Sequence, residues 1–322
     1  MIALRRLIAV CFVVLFPALA GDDAGSQTSR TIKIIVPYAP GGAPDILSRL
    51  LGEQISRAQG PSVVVENRPG AGSVIGTESV SRAPPDGNTL LTTANAFVIN
   101  PHLRKVNYDP LISFAPICHL VSVPALIVVN ATSPYRTFTD LLDAARARPG
   151  EVTLASPGPA TTFHIALEML KRAAGVSITY VPYAATPPAL NALLGDHVAS
   201  VFSDYASLGE QLRTGRVRPL ATAARTRIEA LPDVPTIAES GFKDFEAEIW
   251  FGMVAPAHTP SATTAELAGW FTAAMQASEV KPKLSVQALS PVAKCGADFA
   301  AHLRKQYDDY GRVIREANIK AE

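Results

Sequence analysis

The chain is poor in cysteine, methionine and tryptophan, with three, four and two among 322 residues. It also lacks an excess of either charge: 29 basic residues face 28 acidic ones, for a formal net charge of +1. That balance argues against nucleic acid as a partner and against a polybasic membrane contact. The histidines His102, His119, His164, His197, His258 and His302 are scattered, and no Cys/His cluster has metal-ligand spacing. No metal is therefore expected. Neither a G-x-S-x-G nucleophile elbow nor a phosphate-binding G-K-[ST] loop occurs. Gly70-Ala71-Gly72-Ser73-Val74-Ile75-Gly76 resembles a dinucleotide fingerprint, but its spacing is one residue too long and no acidic residue is placed for a ribose. No cofactor and no catalytic residue are expected, and the chain is not read as an enzyme. A Ser–His–Asp site built from distant segments has no positive signal.

Beyond the N-terminus there is no run of about 18 apolar residues, the length of a membrane-spanning helix. The N-terminus itself has the pattern of an export signal. Arg5-Arg6 precede an uncharged run from Leu7 to Phe16, then Pro17-Ala18-Leu19-Ala20. A positive start, a short apolar stretch and a small-residue cleavage pattern make residues 1–20 a signal peptide, and the mature chain periplasmic. Cleavage leaves 302 residues, with 27 basic against 28 acidic once Arg5 and Arg6 are gone. That length suits two domains. It also removes Cys11, leaving Cys118 and Cys295 in an oxidising compartment, where one disulfide is possible and unproven.

Along the chain, short β-type runs alternate with helical periodicity. Strands are expected at 32–36, 62–65 and 89–92, with helices near 46–55 and 73–82 between them. Phe114 to Val129 is strongly apolar and β-like. The rhythm restarts with helices at 138–148, 163–174, 188–194 and 208–214, and strands at 152–155, 178–181, 198–202 and 217–223. A strand at 251–255 and amphipathic segments at 263–277 and 296–317 complete the chain. This alternation predicts α/β architecture with largely parallel sheets.

Two places share a strand, a small-residue turn and then a helix. One is Tyr38-Ala39-Pro40-Gly41-Gly42-Ala43-Pro44-Asp45; the other is Ser156-Pro157-Gly158-Pro159-Ala160-Thr161-Thr162. A helix start presents unpaired N–H groups and a partial positive charge, so a carboxylate or phosphate fits there. The plainer reading is two ordinary connections, since Gly and Pro mark most turns. Two such turns in different halves can face each other across a cleft, because ligands of open α/β sheets bind at the carboxyl ends of strands. Asp45 reads first as a helix-start stabiliser, His164 as a half-buried packing residue and Trp250 as core.

The segments Val36-Pro37-Tyr38-Ala39-Pro40-Gly41-Gly42, Glu66-Asn67-Arg68-Pro69-Gly70-Ala71-Gly72 and Pro85-Asp86-Gly87-Asn88-Thr89-Leu90-Leu91 recur in one family. So do Val181-Pro182-Tyr183, Ala230-Leu231-Pro232-Asp233-Val234-Pro235-Thr236 and Trp250-Phe251-Gly252. With them the chain resembles the periplasmic substrate-binding receptors of tripartite tricarboxylate transporters, the Bug receptors. The resemblance implies a two-lobed type II periplasmic-binding-protein (Venus-flytrap) fold, each lobe a mostly parallel sheet flanked by helices. It places a discontinuous first lobe at 28–128 and 228–322 and a second at 129–227. It further implies a monomer that captures a small organic mono- or dicarboxylate and delivers it to a two-subunit membrane permease. The family's ligand positions map to Tyr38, Gly41, Gly42 and Asp45, with Thr92, Thr93 and Asn95, in the first lobe. In the second they map to Ser156, Gly158, Thr161, Thr162 and His164, with Tyr183 and Asp204. Pro44, Pro157 and Pro159 depart from the family pattern and remove N–H donors; Ala184-Ala185-Thr186 replaces its usual Lys-Gly run. These departures bear on the identity of the ligand. A ligand-sensing subunit of a signalling system is the alternative output, and a periplasmic hydrolase a more distant one.

Overall fold

A computed structural model describes residues 30–158, 161–243, 245–286 and 289–320. The expected signal peptide lies outside the described residues. The chain begins with β1 (Thr31–Val36), α1 (Ala43–Gln59), β2 (Ser62–Asn67), α2 (Val74–Ser81), β3 (Thr89–Ala94) and α3 (Ala96–Leu103). Then β4 (Phe114–Val123) and β5 (Ala125–Asn130) follow almost end to end. Next come α4 (Phe138–Ala147), β6 (Thr153–Pro157), α5 (Thr162–Ala174), β7 (Thr179–Tyr183) and α6 (Thr186–Leu194). The stretch closes with β8 (Ser200–Asp204), α7 (Tyr205–Arg213) and β9 (Val217–Thr222). The last part holds β10 (Ile249–Pro256), α8 (Ser261–Gln276), α9 (Val280–Val286), β11 (Ser290–Cys295) and α10 (Ala297–Glu316).

The strands form two sheets, ordered β11-β4-β10-β3-β1-β2 and β7-β6-β8-β5-β9. Pairing is parallel among β1, β2 and β3 and among β6, β7 and β8. It is antiparallel wherever β4, β5, β9, β10 or β11 takes part. The sheets are thus mixed rather than mostly parallel. Strand–helix–strand units supply the parallel half of each sheet. The strands that carry the chain between the sheets, and those beside them, supply the antiparallel half.

The apolar run at 114–129 is two strands in two sheets, broken at Pro124. The expected boundary at 128/129 therefore falls inside β5, all of which pairs in the second sheet. Residues after β9 also stay with that sheet: Ile237 donates to Thr222 O and Ala247 to Ala223 O. The chain rejoins the first sheet only at Ile249, which pairs with Val123. The first crossing is apolar on both sides and is marked by Pro124; the second, at Glu246-Ala247-Glu248-Ile249, carries no breaker.

Helices cover both faces of each sheet. Leu47, Leu51 and Ile55 of α1 pack with Leu267, Phe271 and Met275 of α8 on one face of the first. Phe97, Leu303 and Tyr310, from α3 and α10, cover the other. In the second sheet, Leu141 and Leu170 lie on one face and Leu193 and Leu208 on the opposite one. Each fully buried leucine of this kind contributes roughly 2 kcal/mol. Ile165 and Met169 of α5 join the α10 side of the first sheet's core, and Arg172 pairs with Glu316 at the end of that contact. Cys118 and Cys295, paired residues of β4 and β11, are joined by a disulfide.

Candidate functional site

A cleft of about 840 Å³ opens where the strand-to-helix turns of the two sheets meet. The first sheet supplies Tyr38, Gly41, Gly42, Asn95 and Phe251 to its lining; Thr161 and Thr162 enter from the start of α5 in the second. The lining is mainly apolar, with Ala94, Ala96, Ile99 and Ile249 between these groups. It is larger than the cavity of about 580 Å³ beside His119 and His302. It also exceeds the groove of about 530 Å³ between α5 and α10.

The Gly41-Gly42 turn is shaped by Asp45. Gly41 has φ +83°, a left-handed conformation that suits glycine. Its N–H donates to Asp45 Oδ2 at 2.9 Å, while Arg49 and Asn67 donate to the same carboxylate. Burial pushes the Asp45 carboxyl up, but these hydrogen bonds outweigh it and hold the group below the usual carboxylate range. Asp45 is itself buried, so its charge is spent on the turn. Pro40 and Pro44 carry no N–H. Gly42, the N-cap residue of α1, lies in the lining of the cleft. Beside it, burial raises the Tyr38 hydroxyl to about 12, keeping it a neutral donor, with Ser73 as its hydrogen-bonding neighbour.

The second turn is more closed. Gly158, at φ +62°, donates to Tyr183 O at 2.7 Å and accepts from the Tyr180 hydroxyl. Thr161 Oγ1 donates back to Pro157 O at 2.8 Å, so this hydroxyl proton is already engaged. Thr162, with no partner among the described residues, and the first amides of α5 are the groups presented to the cleft. Pro159 lies outside the described residues.

The other expected positions sit elsewhere. Thr92 is buried against Ser48, with the hydroxyls 2.7 Å apart, and Thr93 is buried in β3. Ser156 is fully buried near the Tyr180 hydroxyl. His164 stacks on the Tyr180 ring at 4.1 Å, and burial holds its imidazole below the usual value. Asp204 accepts from the Ser207 N–H at 2.8 Å and caps α7. Tyr183 ends β7 and packs against the core on the α6 side. None of these side chains is in the lining of the cleft.

Asn95 does reach the cleft, but its side chain holds the crossing. Its amide donates to Glu248 O and to the Tyr310 hydroxyl, both at 2.9 Å, and accepts from the Trp250 N–H at 3.1 Å. One residue therefore ties β3 and α10 to the strand that returns between the sheets. Replacing Asn95 by leucine should cost about 2–3 kcal/mol, because it orphans buried backbone groups. Urea denaturation that gives an unchanged midpoint would contradict this role.

Sequence reading missed Arg104, Asn100 and Gly72 in the lining. Arg104 and Asn100 belong to α3 and its end, for which no element was expected. Phe97, Val98, Ile99 and Asn100 are buried in succession, so α3 has no amphipathic stripe to read, and Pro101 sits within it. The asparagine before an apolar run was its one available signal.

The tripartite tricarboxylate transporter family receptor description matches residues 47–319. The chain is 31% identical to Protein BugT of Bordetella pertussis over 98% of its own length and 99% of that protein's. Among solved structures, a protein of R. palustris with adipate is 29% identical, with a TM-score of 0.73 over 91% of this chain and 99% of that one. MatC from Rhodopseudomonas palustris with bound malate is 27% identical, with a TM-score of 0.68 over 88% and 99%. These are binding proteins, alike in fold along nearly the whole chain. With two mixed sheets, two crossings between them and a cleft at their turns, this chain belongs to the tripartite tricarboxylate transporter receptor family.

Proposed function

We propose that the protein is an exported periplasmic receptor, monomeric and without enzymatic activity, that takes a small organic carboxylate into the cleft. It then delivers the acid to a two-subunit membrane permease. One observation carries the reading: the cleft is walled from both sheets, with the start of α1 on one side and the start of α5 on the other. Two helix starts aim amide donors and partial positive charge at the same space. The apolar lining between them fits a short hydrocarbon chain. The adipate and malate held by the two R. palustris proteins are acids of that kind. Closure about the crossings at Pro124 and Glu248 would exclude water and strengthen each of these contacts.

Binding near micromolar corresponds to about −8 kcal/mol. At a hundredfold excess over the dissociation constant, a ligand adds about 2.7 kcal/mol to stability. The mature protein screened against mono- and dicarboxylates should therefore melt several degrees higher with at least one of them. A flat response across acids of two to eight carbons would overturn the proposal.

A further inference from the structure

We propose that Arg104 makes the cleft selective for dicarboxylates, by receiving the second acidic group of a ligand whose first lies on the helix starts. The inference rests on the carboxylate-receptor reading and adds to it a residue that decides between one acidic group and two.

Among the described residues, Arg104 is the only charged one in the lining of the cleft. No carboxylate among the described residues lies within ion-pair distance of it. The other arginines near the cleft rim, Arg49 and Arg68, are paired with Asp45 and Glu66. The guanidinium also has a fixed seat. A methyl group placed on Gly72 would lie 3.6 Å from Arg104 Nη1 and 3.9 Å from Cζ, so the side chain lies over the Gly72 backbone. That backbone is held in turn: Gly72 has φ +63°, and its carbonyl accepts from Asn100 Nδ2 at 2.8 Å. The guanidinium thus lies against an ordered turn while staying exposed to solvent.

Asn95 and Arg104 mark the length of α3 along the lining. Asn95 precedes the helix at the crossing, and Arg104 ends it. Eight helical residues separate them, about 12 Å of axis. A cation on one wall of an apolar cleft, with helix starts on other walls, is matched by an acid charged at both ends. A planar guanidinium suits a carboxylate through two parallel hydrogen bonds, and closure would make leaving it unpaired costly. A monocarboxylate would satisfy the helix starts and leave Arg104 facing hydrocarbon.

The test is calorimetric titration of the mature protein with matched pairs of acids: succinate and butyrate, glutarate and pentanoate, adipate and hexanoate. Wild type should prefer the dicarboxylate of its best pair. Arg104→Gln should lose about 10- to 100-fold in affinity for that dicarboxylate, the range of one charge-assisted contact. It should bind the matched monocarboxylate within about twofold of wild type, as expected for an exposed residue with no ion-pair partner among the described residues. Arg104→Lys, which keeps the charge but not the fork, should fall between them. Equal loss for both acids, or no loss for either, overturns the assignment and leaves the receptor reading intact. Wild type binding none of the six acids overturns the Arg104 assignment, and a flat melting response across acids of two to eight carbons overturns both. Melting temperatures of the variants within about a degree of wild type confirm that folding is not the cause, since Arg104 is exposed.

Discussion

Reducing the Cys118–Cys295 bond, or replacing both cysteines with alanine, should lower the melting temperature by roughly 5–10 °C. The two cysteines are 177 residues apart in sequence. Closing a loop of that size removes entropy from the unfolded chain worth up to about 5 kcal/mol. The location adds a specific consequence. The bond lies between β4, which leads into the crossing at Pro124, and β11, at the edge of the first sheet. Most of that loop is the entire second sheet with its helices, so the bond holds the two ends of the discontinuous first sheet together. Cys118 is fully buried. Thiol titration of the denatured mature protein should find no free cysteine before reduction and two after. Two free thiols before reduction, or a melting temperature indifferent to reductant, would contradict the bond.

Acidifying the mature protein from pH 7 to pH 5 should cost on the order of 2–4 kcal/mol of stability, through His119 and His302. Their rings stack at 4.6 Å against Trp250 and Phe299. Burial pushes His119 down to about 4, with Lys294 adding to the effect and a backbone hydrogen bond at Val121 opposing it. Burial likewise pushes His302 down to about 3, assisted by His119, Lys305 and Lys294. In the unfolded chain both titrate near 6.5. Between that value and the folded ones, the unfolded state takes up protons that the folded state refuses. Stability therefore falls as pH falls, by up to about 1.4 kcal/mol per pH unit for each ring. Glu248, raised by burial in the same cavity, works the other way, because acid relieves the cost of burying its charge. Comparison with His302→Phe separates the contributions. The variant should show roughly half the wild-type slope of stability against pH; an unchanged slope would exclude His302 as a source.

Much of this architecture can be read from local pattern, and the part that cannot has physical causes. Leu47, Leu51 and Ile55 advertise α1 because one face of that helix is buried and the other wet. Thr137 and Asp140 bracket the start of α4 as a capping box, beside the expected helix start at 138. By contrast α3 is buried almost all round, so its residues carry no period. The crossing at Pro124 joins two largely apolar strands, and nothing but the proline marks where one sheet ends. Pairing direction is equally silent: β10 reads as any buried strand, yet it lies antiparallel between β3 and β4.

The cleft shows the same division. The turns at Gly41-Gly42 and Thr161-Thr162 were visible as glycine- and hydroxyl-bearing helix starts. Which side chains point into the cleft was not, because that depends on bonds between distant segments. Asp45 is turned inward by Gly41, Arg49 and Asn67, and Asn95 by Glu248, Trp250 and Tyr310. Thr161 bonds its own turn. Arg104 escaped notice because a lone arginine after an unrecognised helix resembles any surface charge. Only the approach of Gly72 places it on the wall of the cleft.

The central claim is that a carboxylate lies between the two sheets, and a crystal structure of the protein with the acid that raises its melting temperature most is its most direct test. The expected result is one acid in the cleft, with a carboxylate within about 3 Å of amides at the start of α1 or α5 and contacts from both sheets. An acid seated instead in the cavity beside His119 and His302, or touching only one sheet, would contradict the account.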